Sequence, residues 1–205
     1  RAGRVPSAAM GAGGAMDATI ALAPVRAFAE PPHVDEATAM LAAAPVHVIA
    51  FGFTSSAYVL GTSAEAAMIA RLSNVARGLP VVAPGRAALD ALSALDVQRI
   101  ALFDPPWFDA ELNELGRAYY ESAGLNVVFS SPSQLPSDQS SIRPQALFDW
   151  IRERVPDSAE AVVVGGNGFR AVGVIEALEA ETGGVVLTAN QGRLWAAVHA
   201  IGALL

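Results

Sequence analysis

Residues 161–187, AVVVGGNGFRAVGVIEALEAETGGVVL, lay out one strand–helix–strand unit. A short apolar run, Ala161–Val164, stops at the small polar turn Gly165-Gly166-Asn167-Gly168. A helical stretch, Arg170–Thr182, follows, and Gly183 stands where a left-handed helix cap belongs. A second apolar run, Val185–Leu187, completes the unit. Continuous apolar runs around one helix read as a βαβ unit, whose parallel strands are covered on both faces.

The same rhythm extends outward. Further strand candidates are Thr19–Val25, Val46–Phe51, Pro80–Ala83, Arg99–Phe103 and Asn126–Phe129. Helix candidates are His33–Ala44, Ser63–Arg77, Arg86–Leu95, Trp107–Ala123, Pro144–Val155 and Gln191–Ile201, with Ala37, Met40 and Leu41 sharing one face of the first. Gly78 and Gly124 also sit where helix caps belong. The expected fold class is α/β. An Ala/Gly-rich opening, Ala8 to Ala15, precedes these elements, and the Pro/Ser-rich segment Ser130–Ser141 reads as a long surface connection between two halves, with a functional lid as the alternative.

Composition narrows the chemistry. The chain has 205 residues, 53% hydrophobic and 16% charged, with a formal charge of −7. A mean hydropathy of +0.38 marks a packed chain, and a pI near 4.9 argues against nucleic-acid or anionic-membrane partners. There is no Cys, which excludes disulfides, thiolate metal sites and thiol nucleophiles. All thirteen basic residues are Arg. The missing Lys removes Schiff-base chemistry, a pyridoxal anchor and the lysine of a P-loop. Arg-for-Lys usage with abundant Ala and Gly reads as a GC-rich genome. The default expectation is a bacterial-type cytoplasm, since no apolar stretch reaches the roughly 20 residues that span a bilayer. A start at Arg1 rather than Met suggests further residues in front.

Two loops are the site candidates. Val48–Phe51 runs into Gly52-Phe53-Thr54-Ser55-Ser56, echoing the passage from Val162–Val164 into Gly165–Gly168. Ligands of open α/β sheets bind beyond the carboxyl ends of strands. The hydroxyls of Thr54, Ser55 and Ser56, with free helix N–H groups, suit a carboxylate or phosphate; helix capping is the alternative. Gly166, Asn167 and Gly168 permit close ligand approach, or form only a tight turn. Asp104 ends a strand on the carboxyl edge, as a proton-transfer group or as a turn former before Pro105-Pro106. Arg86 and Arg170 follow loops and suit a carboxylate clamp, against packing or an internal ion pair. Tyr58 reads as a ligand donor or a packed aromatic. His33, His47 and His199 read as cap, core or edge, and surface residues, without metal-ligand spacing.

The stretch HVIAFGFTSSAYVLG (47–61) resembles the first active-site loop of the aspartate/glutamate racemase superfamily, in the branch of maleate cis–trans isomerases and arylmalonate decarboxylases. Thr54 and Ser55 fall on that branch's carboxylate-binding Thr-Ser pair, and Gly61 on its closing Gly. Residues 161–202 resemble its second loop and the elements after it, with Asn190, Gln191 and Trp195 on the pattern. Residues 99–128 resemble its strand, Pro-Tyr turn and helix. The resemblance runs from about Thr19 to Gly202.

That resemblance implies two similar lobes, each a parallel sheet flanked by helices, with a site in the cleft between them. Lobe 1 would take about 19–85 plus the helix 190–205, and lobe 2 about 86–189. It implies a cofactor-independent isomerase or lyase of a small carboxylate, with no metal. Polar donors at Thr54 and Ser55 would stabilise an enediolate, and Asn167 would orient the substrate.

The departures are chemical. The family's two cysteine positions fall on Phe53 and Gly166, neither of which can move a proton. The tyrosine of its Pro-Tyr turn falls near Pro106–Trp107, and a small hydroxyl residue is replaced by Arg86. The alternative is therefore a small-carboxylate-binding protein without turnover, with a plain scaffold third. A homo-oligomer is compatible with either.

Overall fold

The computed structural model describes residues 20–203, so the Ala8 to Ala15 opening and Thr19 lie outside the described residues. Two parallel sheets form. One pairs β1 (Ile49–Ala50) with β2 (Val81–Val82). The other has the order β4-β3-β5-β6, from β3 (Arg99–Asp104), β4 (Asn126–Pro132), β5 (Ala161–Val164) and β6 (Val185–Thr188). The α/β class with parallel sheets flanked by helices stands as read from the sequence.

Successive residues of β3 feed opposite sides of the larger sheet, as the period-2 geometry of a strand requires. Ile100 and Leu102 join Leu112 and Tyr119 of α5 (Ala110–Ser122) and Leu92 of α4 (Pro84–Ala94). Ala101 and Phe103 join Leu147 and Trp150 of α6 (Pro144–Arg152) and Leu178 of α7 (Ile175–Thr182). Ile49, Phe51 and Val81 pack with Met68 and Leu72 of α3 (Thr54–Val75). The last helix, α8 (Ala189–Ala200), lies on α4 and touches both sheets.

Register places the loops. Phe103 pairs with Val164, and Val164 with Thr188. Asp104, the turn 165–168 and the start of α8 therefore leave the larger sheet at one edge. The expected left-handed glycines hold, with φ of 88°, 90° and 67° at Gly78, Gly124 and Gly183.

Several boundaries differ. Of the strand expected over Thr19–Val25, the described residues form none: Leu22–Ala29 is a helix, α1, that buries Val25 and Ala29, while Arg26 donates to the Val59 carbonyl. Pro24 is compatible with a first helical turn and poor within a strand. In α2 (His33–Leu41) the buried residue is Thr38, while Met40 is 77% exposed. The helix expected from Ser63 begins at Thr54 and bends at Gly61, whose φ of 76° and ψ of 167° leave the helical region. The helix expected from Trp107 starts at Ala110, because Asp109 caps it by accepting from Leu112 N at 2.8 Å. The helix expected from Arg170 becomes a 3-10 turn, Val172–Val174, before α7.

Candidate functional site

Thr54, Ser55 and Ser56 are the first three residues of α3, and all are buried. The N-cap position belongs to Phe53, which makes no side-chain cap bond. The three hydroxyls are thus not helix caps. The capping partner comes from the other loop. Thr54 N and Thr54 Oγ1 both donate to Asn167 Oδ1, at 3.0 Å and 2.6 Å. The two loops that the sequence singles out face each other through this pair.

The contact continues into α8. Asn167 Nδ2 donates to Asn190 Oδ1 at 3.0 Å, and Asn190 Nδ2 donates to the Asn167 carbonyl at 3.0 Å. Arg193 Nη2 also donates to Asn190 Oδ1, at 3.2 Å. A Cβ on Gly52 would lie 2.5 Å from Arg193 Nη1, so the guanidinium rests against the backbone just ahead of Thr54. Thr188 and Gln191 form a capping box that fixes the start of α8, and with it Asn190. Ser55 Oγ is buried and has no hydrogen-bond partner among the described residues, whereas Ser56 Oγ donates to the Val25 carbonyl.

Gly166 has φ of 74°, and a Cβ there would lie 2.6 Å from Pro105 Cγ. Gly168 abuts Gln139 and Trp107, so the connection Ser130–Ser141 touches the second loop. Phe53 stacks edge-on against Phe28 of α1, with ring centroids 4.8 Å apart.

Asp104 is fully buried at the end of β3, beside Gly165. It accepts from Tyr58 OH at 3.2 Å and from Asn113 Nδ2 at 2.8 Å. Burial pushes its carboxyl up to about 7, against the opposing pull of the Asn113 and Tyr58 hydrogen bonds. Burial, and then the Asp104 charge, raise the Tyr58 hydroxyl well above its usual range. Tyr58 is held as a donor.

Arg86 is not brought to this junction. It pairs with Asp90 at 2.6 Å on the outer side of α4, along a groove with Leu89 and Ser93. The inner side of that helix start is filled by the chain itself. Glu65 faces the N–H groups of Gly85 and Arg86 and accepts from Tyr119 OH, and a Cβ on Gly85 would lie 2.8 Å from its Oε1. Arg170 is exposed. His33 and His47 are exposed, and His199 is an exposed residue stacked on Trp195. No group of three His, Asp or Glu with metal-binding geometry occurs among the described residues, and no helix there is long and apolar enough to cross a membrane.

Besides Asn113 on Asp104, the residue of this junction that the sequence reading missed is Arg193. Its one visible signal is its place one turn beyond Asn190 on a helix starting at a strand's carboxyl end.

The family model of arylmalonate decarboxylase matches residues 28–204. The chain belongs to that family. No curated protein matches it. A crystal structure of the maleate isomerase Iso from Pseudomonas putida S16 superposes with a TM-score of 0.83 at 20% identity, covering 90% of this chain and 75% of that one. The C200A variant of Iso with maleate gives 0.78 at 22%, covering 83% and 70%. A crystal structure of arylmalonate decarboxylase gives 0.76 at 21%, covering 82% and 75%. At these identities the likeness establishes the fold. This family member has no Cys.

Proposed function

We propose that the chain is a small-carboxylate protein of the maleate isomerase and arylmalonate decarboxylase type, acting as a cofactor-independent isomerase or lyase without a thiol. One observation carries this: two Thr54 donors at the start of α3 converge on a single oxygen, that of Asn167. A ligand carboxylate oxygen has the same acceptor geometry plus a charge, which the helix N-terminus favours. In this reading it takes the place of Asn167 Oδ1 on Thr54, and Ser55 Oγ supplies a further donor. Those donors stabilise the charge of an enediolate as it develops on the same carboxylate. Asn167, released from Thr54, keeps the substrate oriented. The relatives' names agree with this class: one is an isomerase with maleate bound.

The family's thiol route is closed to this chain, which has no Cys; the resemblance places the two cysteine positions on Phe53 and Gly166, neither of which carries an ionisable group. Asp104 is the remaining proton-transfer candidate, at the carboxyl edge beside the second loop and with a carboxyl that titrates near neutrality. A second reading, binding without turnover, is favoured by the same residue: Asp104 is sealed from solvent with both oxygens bonded.

The test is calorimetric titration with malonate and maleate, followed by exchange of malonate's methylene protons in heavy water. Binding with exchange that Asp104→Asn abolishes supports turnover. Binding without exchange supports the second reading. No binding of either anion contradicts both.

A further inference from the structure

Three arginines among the described residues are half-buried: Arg71, Arg117 and Arg193. Arg71 pairs with Asp35, and Arg117 with Glu114 and Glu121. Arg193 has no carboxylate partner among the described residues. The other arginines without one, Arg26, Arg77, Arg143 and Arg170, are exposed to water. A guanidinium drawn out of water without a counter-charge is costly, and an anionic ligand offsets that cost.

The place of this guanidinium is specific. It lies against Gly52 on one side and donates to Asn190 Oδ1 on the other, and that same oxygen accepts from Asn167. Two linked carboxamides, of Asn190 and Asn167, thus run from the positive charge to the oxygen held by Thr54. Gly52 has no positive φ. What it contributes is room for the Arg193 head group.

We infer that Arg193 is a ligand-binding residue that holds a second anionic group of the ligand whose first carboxylate meets Thr54, and so sets a preference for dianions. The inference rests on the carboxylate reading above. A brace for Asn190 would need only one N–H donor, which Gln also supplies. Holding an anion needs the charge and the forked donors.

The experiment titrates maleate and malonate, each beside its monoamide, into the unaltered protein and into Arg193→Gln, Arg193→Lys and Gly52→Ala, with a melting curve for each protein. The unaltered protein should prefer each dianion to its monoamide roughly ten- to a hundredfold, the range of a charge-assisted hydrogen bond. Arg193→Gln should bring that ratio near one, and Arg193→Lys should recover part of it. Gly52→Ala should lower the ratio by displacing the guanidinium while leaving the charge in the chain. A ratio that Arg193→Gln leaves unchanged overturns the inference while the Thr54 site stands. Failure of both dianions to bind the unaltered protein overturns the reading of the site itself.

Discussion

Thr54 and Asn167, 113 residues apart, are joined by two hydrogen bonds to one oxygen, the shorter being 2.6 Å from Thr54 Oγ1 to Asn167 Oδ1. The pair caps α3 from outside its own segment and ties the first loop to the second. Asn167→Ala removes both bonds and the side-chain bond to Asn190 Oδ1, while the bond from Asn190 Nδ2 to the residue's carbonyl stays. At about 1 kcal/mol for each net hydrogen bond, and about 2–4 °C per kcal/mol for a chain of this size, the melting temperature should fall by several degrees. Added malonate should restore part of the loss, because the Thr54 donors are then free for the anion. An unchanged melting temperature would show that the Thr54–Asn167 link does not hold the loops together.

Ser55→Ala should separate stability from binding. Its hydroxyl is buried and without a partner among the described residues, so its removal should leave stability unchanged or raise it by up to about 1 kcal/mol. Malonate affinity should fall by up to about a hundredfold. A helix-capping Ser would behave in the opposite way, losing about 0.5–2 kcal/mol of stability with no effect on the ligand. Urea melts and calorimetry on the same protein decide between them.

Much of this was legible in the sequence, and the gaps have physical causes. Ala161–Val164 and Val185–Leu187 declared themselves because a strand buried on both faces has to be apolar throughout. Thr19–Val25 has the same look in sequence, yet it is too short for periodicity to separate strand from helix, and Pro24 is its one sign against a strand. The helical start at Thr54 was hidden because Gly61 interrupts the pattern. Arg86 looked like an anion clamp from its place after a loop. The start of α4, however, already faces the buried carboxylate of Glu65 on its inner side, a long-range approach with no local signature. Arg193 lies in a helix whose register against Gly52 only the packed fold reveals.

Asp104 should make stability depend on pH. Its folded value of about 7 lies above the usual value of about 4 for an unfolded Asp, so between those values the folded chain holds a proton that the unfolded chain has released. Stability should therefore decline as pH rises from about 4 to about 7 and then level off, by at most about 4 kcal/mol. Asp104→Asn should flatten most of that slope. Glu65, raised by its own burial, keeps a smaller share of the same sign. Denaturant melts from pH 4.5 to 8 read it directly, and equal slopes in the two proteins would contradict it.

Cysteines placed at Phe53 and Gly166, the positions that the resemblance assigns to the family's thiols, should not confer maleate isomerisation. At Gly166 a Cys would carry φ of 74° and place its Cβ 2.6 Å from Pro105 Cγ, a strain of about 1–3 kcal/mol. Phe53→Cys also gives up the contact with Phe28. The double variant should melt lower than the parent and fail to isomerise maleate. Maleate turnover with an undiminished melting temperature would show that the second loop tolerates the side chain.

On the proposed function, the first turn of α3 is a carboxylate site. A crystal structure with malonate bound tests it most directly. One carboxylate oxygen should lie within about 3.2 Å of both Thr54 N and Thr54 Oγ1, with Asn167 Oδ1 displaced from them. Malonate bound elsewhere while Asn167 Oδ1 still accepts both Thr54 donors would contradict it.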